Sequence, residues 1–142
     1  MKFFRRLASA RRGSALLEFA LIGPMTIVGI MGIIGSGVLV WAIGSLHTVA
    51  ASTARCGALG TLGVPPCTTP ALTQSQAVTL AGNWIYAGVI TTSNVTTTPD
   101  VATCLGTAGR FYRVAISTGA FAWLPAPMNG ITLNASACFP RS

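Results

Sequence analysis

Acidic and imidazole side chains are what this sequence has least of. Its 142 residues include two carboxylates, Glu18 and Asp100, and one histidine, His47. A Ser-His-Asp constellation needs a histidine oriented by a carboxylate. Here Glu18 stands inside an apolar run and His47 at its far edge, so neither that triad nor a pair of carboxylates flanking one substrate is expected. No GxSxG, Walker A or GxGxxG element stands in the chain. The sequence therefore predicts a protein that is not an enzyme and holds no cofactor. Charged residues of all kinds make up 8% against 51% apolar, where soluble domains average about 25% charged. That is too little charge for an ordinary soluble surface.

The charge that exists is gathered at one end. Lys2, Arg5, Arg6, Arg11 and Arg12 supply most of the formal net charge of +7. Beyond Gly13 only Arg55, Arg110, Arg113 and Arg141 face the two carboxylates. A nucleic-acid binder spreads basic residues over a face of its fold, and this distribution excludes one.

From Gly13 to Leu46 the chain is almost wholly apolar, with Glu18 its only charge. A membrane-spanning helix needs about 20 such residues. The preceding basic cluster predicts a cytoplasmic N-terminus and a far-side C-terminus by the positive-inside rule. Trp41 and His47 suit the far membrane–water interface. A secretory signal has an apolar core of only ~7–15 residues, about half this run, although Ala50–Ala54 offers a small-residue cleavage site. Pro24 is expected to kink the helix, because it lacks the N–H that would pair with a carbonyl one turn earlier. Small residues follow Leu46 and are expected to prolong the helix to about residue 59. Gly60, Gly63 and Pro65-Pro66 then break it.

The remaining residues, 60–142, read as a small α+β domain. Thr69 and Pro70 form an N-cap and first helical position, and Thr73 to Gln76 also matches a capping box. Ala77, Leu80, Ala81, Trp84 and Ile85 recur at helical spacing, so the expectation is an amphipathic helix over 70–88. The stretch 91–100 reads as a loop or a loose edge strand. Tyr112, Val114 and Ile116 alternate with Arg113 and Ser117. Ile131, Leu133, Ala135 and Ala137 alternate with Thr132, Asn134 and Ser136. Both are half-buried strands of a short antiparallel sheet, joined by a turn-rich connection through Pro125, Pro127, Asn129 and Gly130.

Cys56, Cys67, Cys104 and Cys138 all follow the apolar run. An even number in a small domain on an oxidising face points to disulfides. Of three connectivities, Cys56–Cys67 and Cys104–Cys138 are favoured, the first being local across the Pro-Pro turn. Each bridge is worth roughly 2–4 kcal/mol, which matters to a domain with a modest core. No close CxxC pair marks a zinc site, and no metal is expected.

Glu18 is the informative residue. An ionisable group in a spanning helix costs about 2.5–3.5 kcal/mol on insertion scales and marks a functional position by default. The alternative is a carboxylate with no such role that, six residues after Arg12, lies close enough to the cytoplasmic interface to reach water. Cleavage after Gly13 would make Ser14 the first residue and Glu18 the fifth, and would put a new α-amine and a carboxylate near the same helix end. In an assembly, Glu18 of one subunit would pair with the Ser14 amine of its neighbour.

The segment from Arg11 to Ala20, Arg-Arg-Gly-Ser-Ala-Leu-Leu-Glu-Phe-Ala, resembles a type IV prepilin processing site. It has a short basic leader, 1–13, a glycine before the cut, Glu at the fifth mature position and then an apolar helix, 14–46. With Glu18-Phe19 and Pro24 soon after, the first 55 residues or so resemble the TadE-like pseudopilins of the tight-adherence (Flp) pilus system. The strand-like ending, RFYRVAIST and GITLNASACFP, is similar in pattern to the last part of those proteins. The domain beyond the helix exceeds what major Flp pilins carry. The resemblance thus implies a minor pilin or pseudopilin of the bacterial inner membrane, cut by a prepilin peptidase between Gly13 and Ser14. Its implied partners are other pilins or pseudopilins, the inner-membrane assembly platform and the lipid bilayer. Gly29, Gly32, Gly35 and Ser36 fall three and four apart and offer a small-residue face for helix packing in lipid. Two alternatives remain at this stage: an uncut, membrane-anchored periplasmic binding or adhesion domain, and a domain released near Ala54.

Overall fold

The computed structural model describes residues 11–62, 66–85, 89–104, 106–119 and 130–141, with the backbone alone over 11–15 and at 61. Lys2, Arg5, Arg6, Gly63, Pro65, Pro125, Pro127 and Asn129 lie outside the described residues, as does most of the connection between the last two strands. The apolar run and the small residues after it form one helix, α1, Arg11–Leu59, which continues through Pro24. A turn of 3-10 helix, Gly60–Leu62, follows. Gly60 takes φ +58°, the left-handed conformation that ends many helices, and its carbonyl accepts from Cys67 N–H at 3.1 Å.

The second helix, α2, spans Pro70–Trp84. Thr69 caps it, its side chain accepting from Leu72 N–H at 3.3 Å, with Pro70 at the first position. The capping box expected at Thr73–Gln76 does not form. Thr73 is already a turn inside the helix, buried, with its hydroxyl donating to Thr69 O. The helix also stops short of residue 88: Ile85 is its C-cap, and 86–88 lie outside the described residues. Its buried side is Thr73, Ala77 and Ala81, a stripe at spacings of four. Trp84, expected on that side, is 51% exposed.

A short 3-10 turn, Thr92–Asn94, leads into three antiparallel strands in the order β1-β2-β3: β1 Val95–Cys104, β2 Thr107–Gly119 and β3 Thr132–Pro140. The stretch left between loop and edge strand in the sequence thus opens β1, an edge strand. It pairs Val95 with Ile116 and slips register between Thr98 and Val101. Pro99 and Asp100 occupy that slip. A proline has no N–H for the ladder and is tolerated at such edge bulges. The alternation expected in β2 holds, with Tyr112, Val114, Ile116 and Thr118 buried; in β3 it holds for Leu133 and Ala135, whereas Ala137 is half-buried and Ile131, expected on the same face, precedes the strand and is exposed. The fold is α+β: a long apolar N-terminal helix, a second helix and a three-stranded antiparallel sheet.

The chain divides into two compact units, 1–37 and 38–142. The second, here called the head, includes the C-terminal part of α1. Its core is built from one stripe of that helix, Ala42, Leu46, Val49, Ala50 and Ala54, with Ala77 and Ala81 of α2 and Val114, Ile116, Leu133 and Ala135 of the sheet. Most helix residues on the stripe are small, which lets backbone and sheet approach closely. The limit is at Gly57, where a Cβ would fall 2.6 Å from Tyr112 Cζ. Cys56–Cys67 ties the end of α1 to the segment before α2, and Cys104–Cys138 joins the two outer strands. These are the two pairings favoured from the sequence.

Gly57→Ala is expected to cost about 1–3 kcal/mol through overpacking against the Tyr112 ring. Unfolding of the full chain in detergent, followed by denaturant titration, measures it, and trimming the ring with Tyr112→Leu in the same chain should restore part of the loss.

Candidate assembly and anchoring site

α1 carries most of the residues singled out in the sequence. Gly13 and Ser14 lie in its first turn. Glu18 is exposed, between Leu17 and Phe19, which are exposed too. So are large apolar side chains all around the first unit, including Leu21 at 77% and Met25 at 81%. A helix of a soluble protein hides one apolar stripe and shows polar residues elsewhere. This one is apolar on every side, with a mean hydropathy of 2.2 in its candidate span, as expected of a helix whose surroundings are themselves apolar. By length and composition it is able to cross a membrane.

Two hydroxyls there are satisfied within the helix. Thr26 Oγ1 donates to Ile22 O at 3.0 Å and Ser36 Oγ to Ile33 O at 2.9 Å. In hydrocarbon each unsatisfied polar group costs several kcal/mol, so this back-bonding keeps the segment compatible with lipid. Gly29 and Gly32 have open space where a Cβ would stand. Ser36 is exposed, whereas Gly35 is buried.

The head holds the other carboxylate. Asp100 takes φ +58° in the β1 bulge, a conformation that Asp tolerates better than most residues. There its carboxylate accepts from Arg110 at 2.8 Å and from Arg141 at 3.3 Å. Arg141 N–H in turn donates to Arg110 O at 2.8 Å. Asp100 thus fastens an edge bulge to β2 and to the residue after β3, a link with no sequence signal beyond an acidic residue after proline. Beside it a cleft of about 280 Å³ is lined by Gly57, Thr69, Pro99, Asp100, Tyr112 and Arg141. Of its lining groups, Tyr112 OH donates to Thr73 Oγ1 at 3.4 Å and Asp100 is held by Arg110 and Arg141. Among the described residues no cluster of three or more His, Cys, Asp or Glu stands ready for a metal ion. His47 is exposed on α1.

No protein family, curated protein or solved structure matches the chain.

Asp100 is a test of backbone against charge. Asp100→Gly keeps the φ and loses both exposed pairs, which should cost about 1 kcal/mol or less. Asp100→Val also puts a β-branched residue at positive φ and should cost about 1–3 kcal/mol more. Thermal unfolding of the two variants in parallel separates the contributions.

Proposed function

We propose that this chain is a TadE-like minor pilin or pseudopilin of the tight-adherence (Flp) pilus system. Residues 14–46 hold it in the bacterial inner membrane, with the N-terminus cytoplasmic and the head periplasmic. A prepilin peptidase matures it between Gly13 and Ser14. One observation carries the reading: Arg11-Arg12-Gly13-Ser14 and Glu18-Phe19 open a helix that is apolar and exposed all around, and whose later residues become the core of a disulfide-bonded head. Disulfides persist in oxidising compartments such as the bacterial periplasm, which agrees with the side that the basic leader assigns to the head.

The unbroken series of exposed large apolar side chains on α1 runs from Leu16 to Ile43, with Leu59 alone beyond it. At 1.5 Å per residue that is about 40 Å, against about 30 Å of hydrocarbon. With Ile43 at the outer boundary, the hydrocarbon ends near Gly23 and Glu18 falls in the inner headgroup layer. There the carboxylate meets water in the free subunit and the Ser14 amine of a neighbour in the assembled one. The small residues Gly29, Gly32, Gly35 and Ser36 offer the contact along which neighbouring helices pack. Enzymatic chemistry has no part in this function.

Two measurements test it in the native host. The protein recovered from membranes should begin at Ser14 by intact mass; a chain beginning at Met1 beside an active peptidase would leave an ordinary anchored domain, and one beginning near residue 55 a discarded signal. Glu18→Ala should insert as well as the parent and lose incorporation into the assembly, while undiminished incorporation would remove the Ser14–Glu18 pair from the account.

A further inference from the structure

The head is polarised along its length. Gly57 of α1 sits against Tyr112, and Thr73, near the start of α2, meets the same side chain. From Gly57 back to Ala42 the buried helix stripe is about 22 Å long. From Tyr112 to Thr118 the buried strand stripe is about 20 Å. The two match when Ala42 lies level with the Thr118–Gly119 end of β2. α2 leads the chain to the same end, since Val89, five residues after Trp84, has its carbonyl bonded by Thr118 Oγ1 at 3.2 Å. β3 starts there as well, with Thr132 opposite Gly119.

Every charge of the head lies at the other end. Arg110 and Arg113 flank Tyr112, Arg141 and Asp100 pair with Arg110, and Arg55 precedes Gly57. The Gly119 end has none. Instead it exposes Ile131 at 42% and, where α2 ends on the way to Val89, Trp84 at 51%; on α1, next to Ala42, Trp41 is 61% and Ile43 41% exposed. Tryptophans favour the boundary between headgroups and acyl chains, and arginines are costly there unless they reach water.

We propose that the end of the head bearing Trp84 and Ile131 rests on the surface of the bilayer that α1 crosses, as a second membrane contact beside the helix, with the arginine-bearing end turned away from the lipid. This rests on the reading of α1 as a membrane span. The contact fixes the tilt of the head over the membrane, so that a subunit waiting in the bilayer presents its Arg55–Asp100–Arg141 end outward.

Full-length chains with one tryptophan each test it in vesicles of phosphatidylethanolamine and phosphatidylglycerol, with lipids brominated near the headgroup end of the acyl chain. The Trp84-only chain carries Trp41→Phe and Trp123→Phe; the Trp41-only chain carries Trp84→Phe and Trp123→Phe. The proposal expects blue-shifted emission and loss of emission to the brominated lipid in both. Quenching of Trp41 with an aqueous, unquenched Trp84 would overturn it and leave the span intact. Quenching of neither would overturn the span as well. A blue-shifted Trp84 that brominated lipid does not reach would put a second copy of the chain on this face and also overturn the proposal.

Discussion

The structure depends on the close packing of one stripe of α1, Ala42, Leu46, Val49, Ala50, Ala54 and Gly57, against the sheet. The head has few large side chains to bury, and its largest fully buried residues are Leu46, Ile116, Val49 and Val114. Burial is worth about 25 cal/mol per Å² of apolar surface, so small side chains contribute only if the elements approach closely. Alanines on α1 and α2 make that approach possible, and Gly57 sets its limit at the Tyr112 ring. The two disulfides then restrain the parts the core serves least: the exit from α1 and the outer strands.

The same helix therefore works in two settings. Up to Gly37 its apolar side chains face outward all around. From Ala42 it hides one stripe and shows Trp41 and Ile43, then His47, Thr48, Ser52 and Arg55, on the rest of its surface. The change from apolar to polar on the exposed side falls just after Ile43. That change is the physical basis of the proposed membrane boundary there and of the proposed lipid contact at the Trp84 and Ile131 end of the head. In the proposed arrangement the charged end, with Asp100 between Arg110 and Arg141, faces water.

Much of the fold was legible in the sequence because its signals are local. Alternation exposed β2 and β3, Thr69-Pro70 marked the start of α2, and cysteine placement favoured the pairings found. β1 stayed open between loop and strand because Pro99 and Asp100 interrupt it, and only pairing with β2 makes it regular. Helical periodicity puts Trp84 on the buried side because it assigns an angle and not a neighbour; at the end of α2 the residue is left about half exposed. The core stripe of α1 is hard to read because Ala42 and Leu46 lie in a run apolar on all sides, which gives no periodicity, and beyond it Ala50 and Ala54 are too small to stand out from the exposed small residues around them. Asp100's two arginine partners are ten and forty-one residues away, beyond any local pattern.

The central claim is that α1 passes from lipid into a protein core and water within a few residues of Ile43. Nitroxide labels placed singly at exposed positions from Leu21 to Arg55, in the full chain in vesicles, measure it through their collision rates with dissolved oxygen and with a water-soluble nickel chelate. The account expects oxygen to dominate through Ile43 and the chelate from His47 onward. Chelate access equal along the whole helix, or a lipid-like response persisting through Arg55, would contradict it.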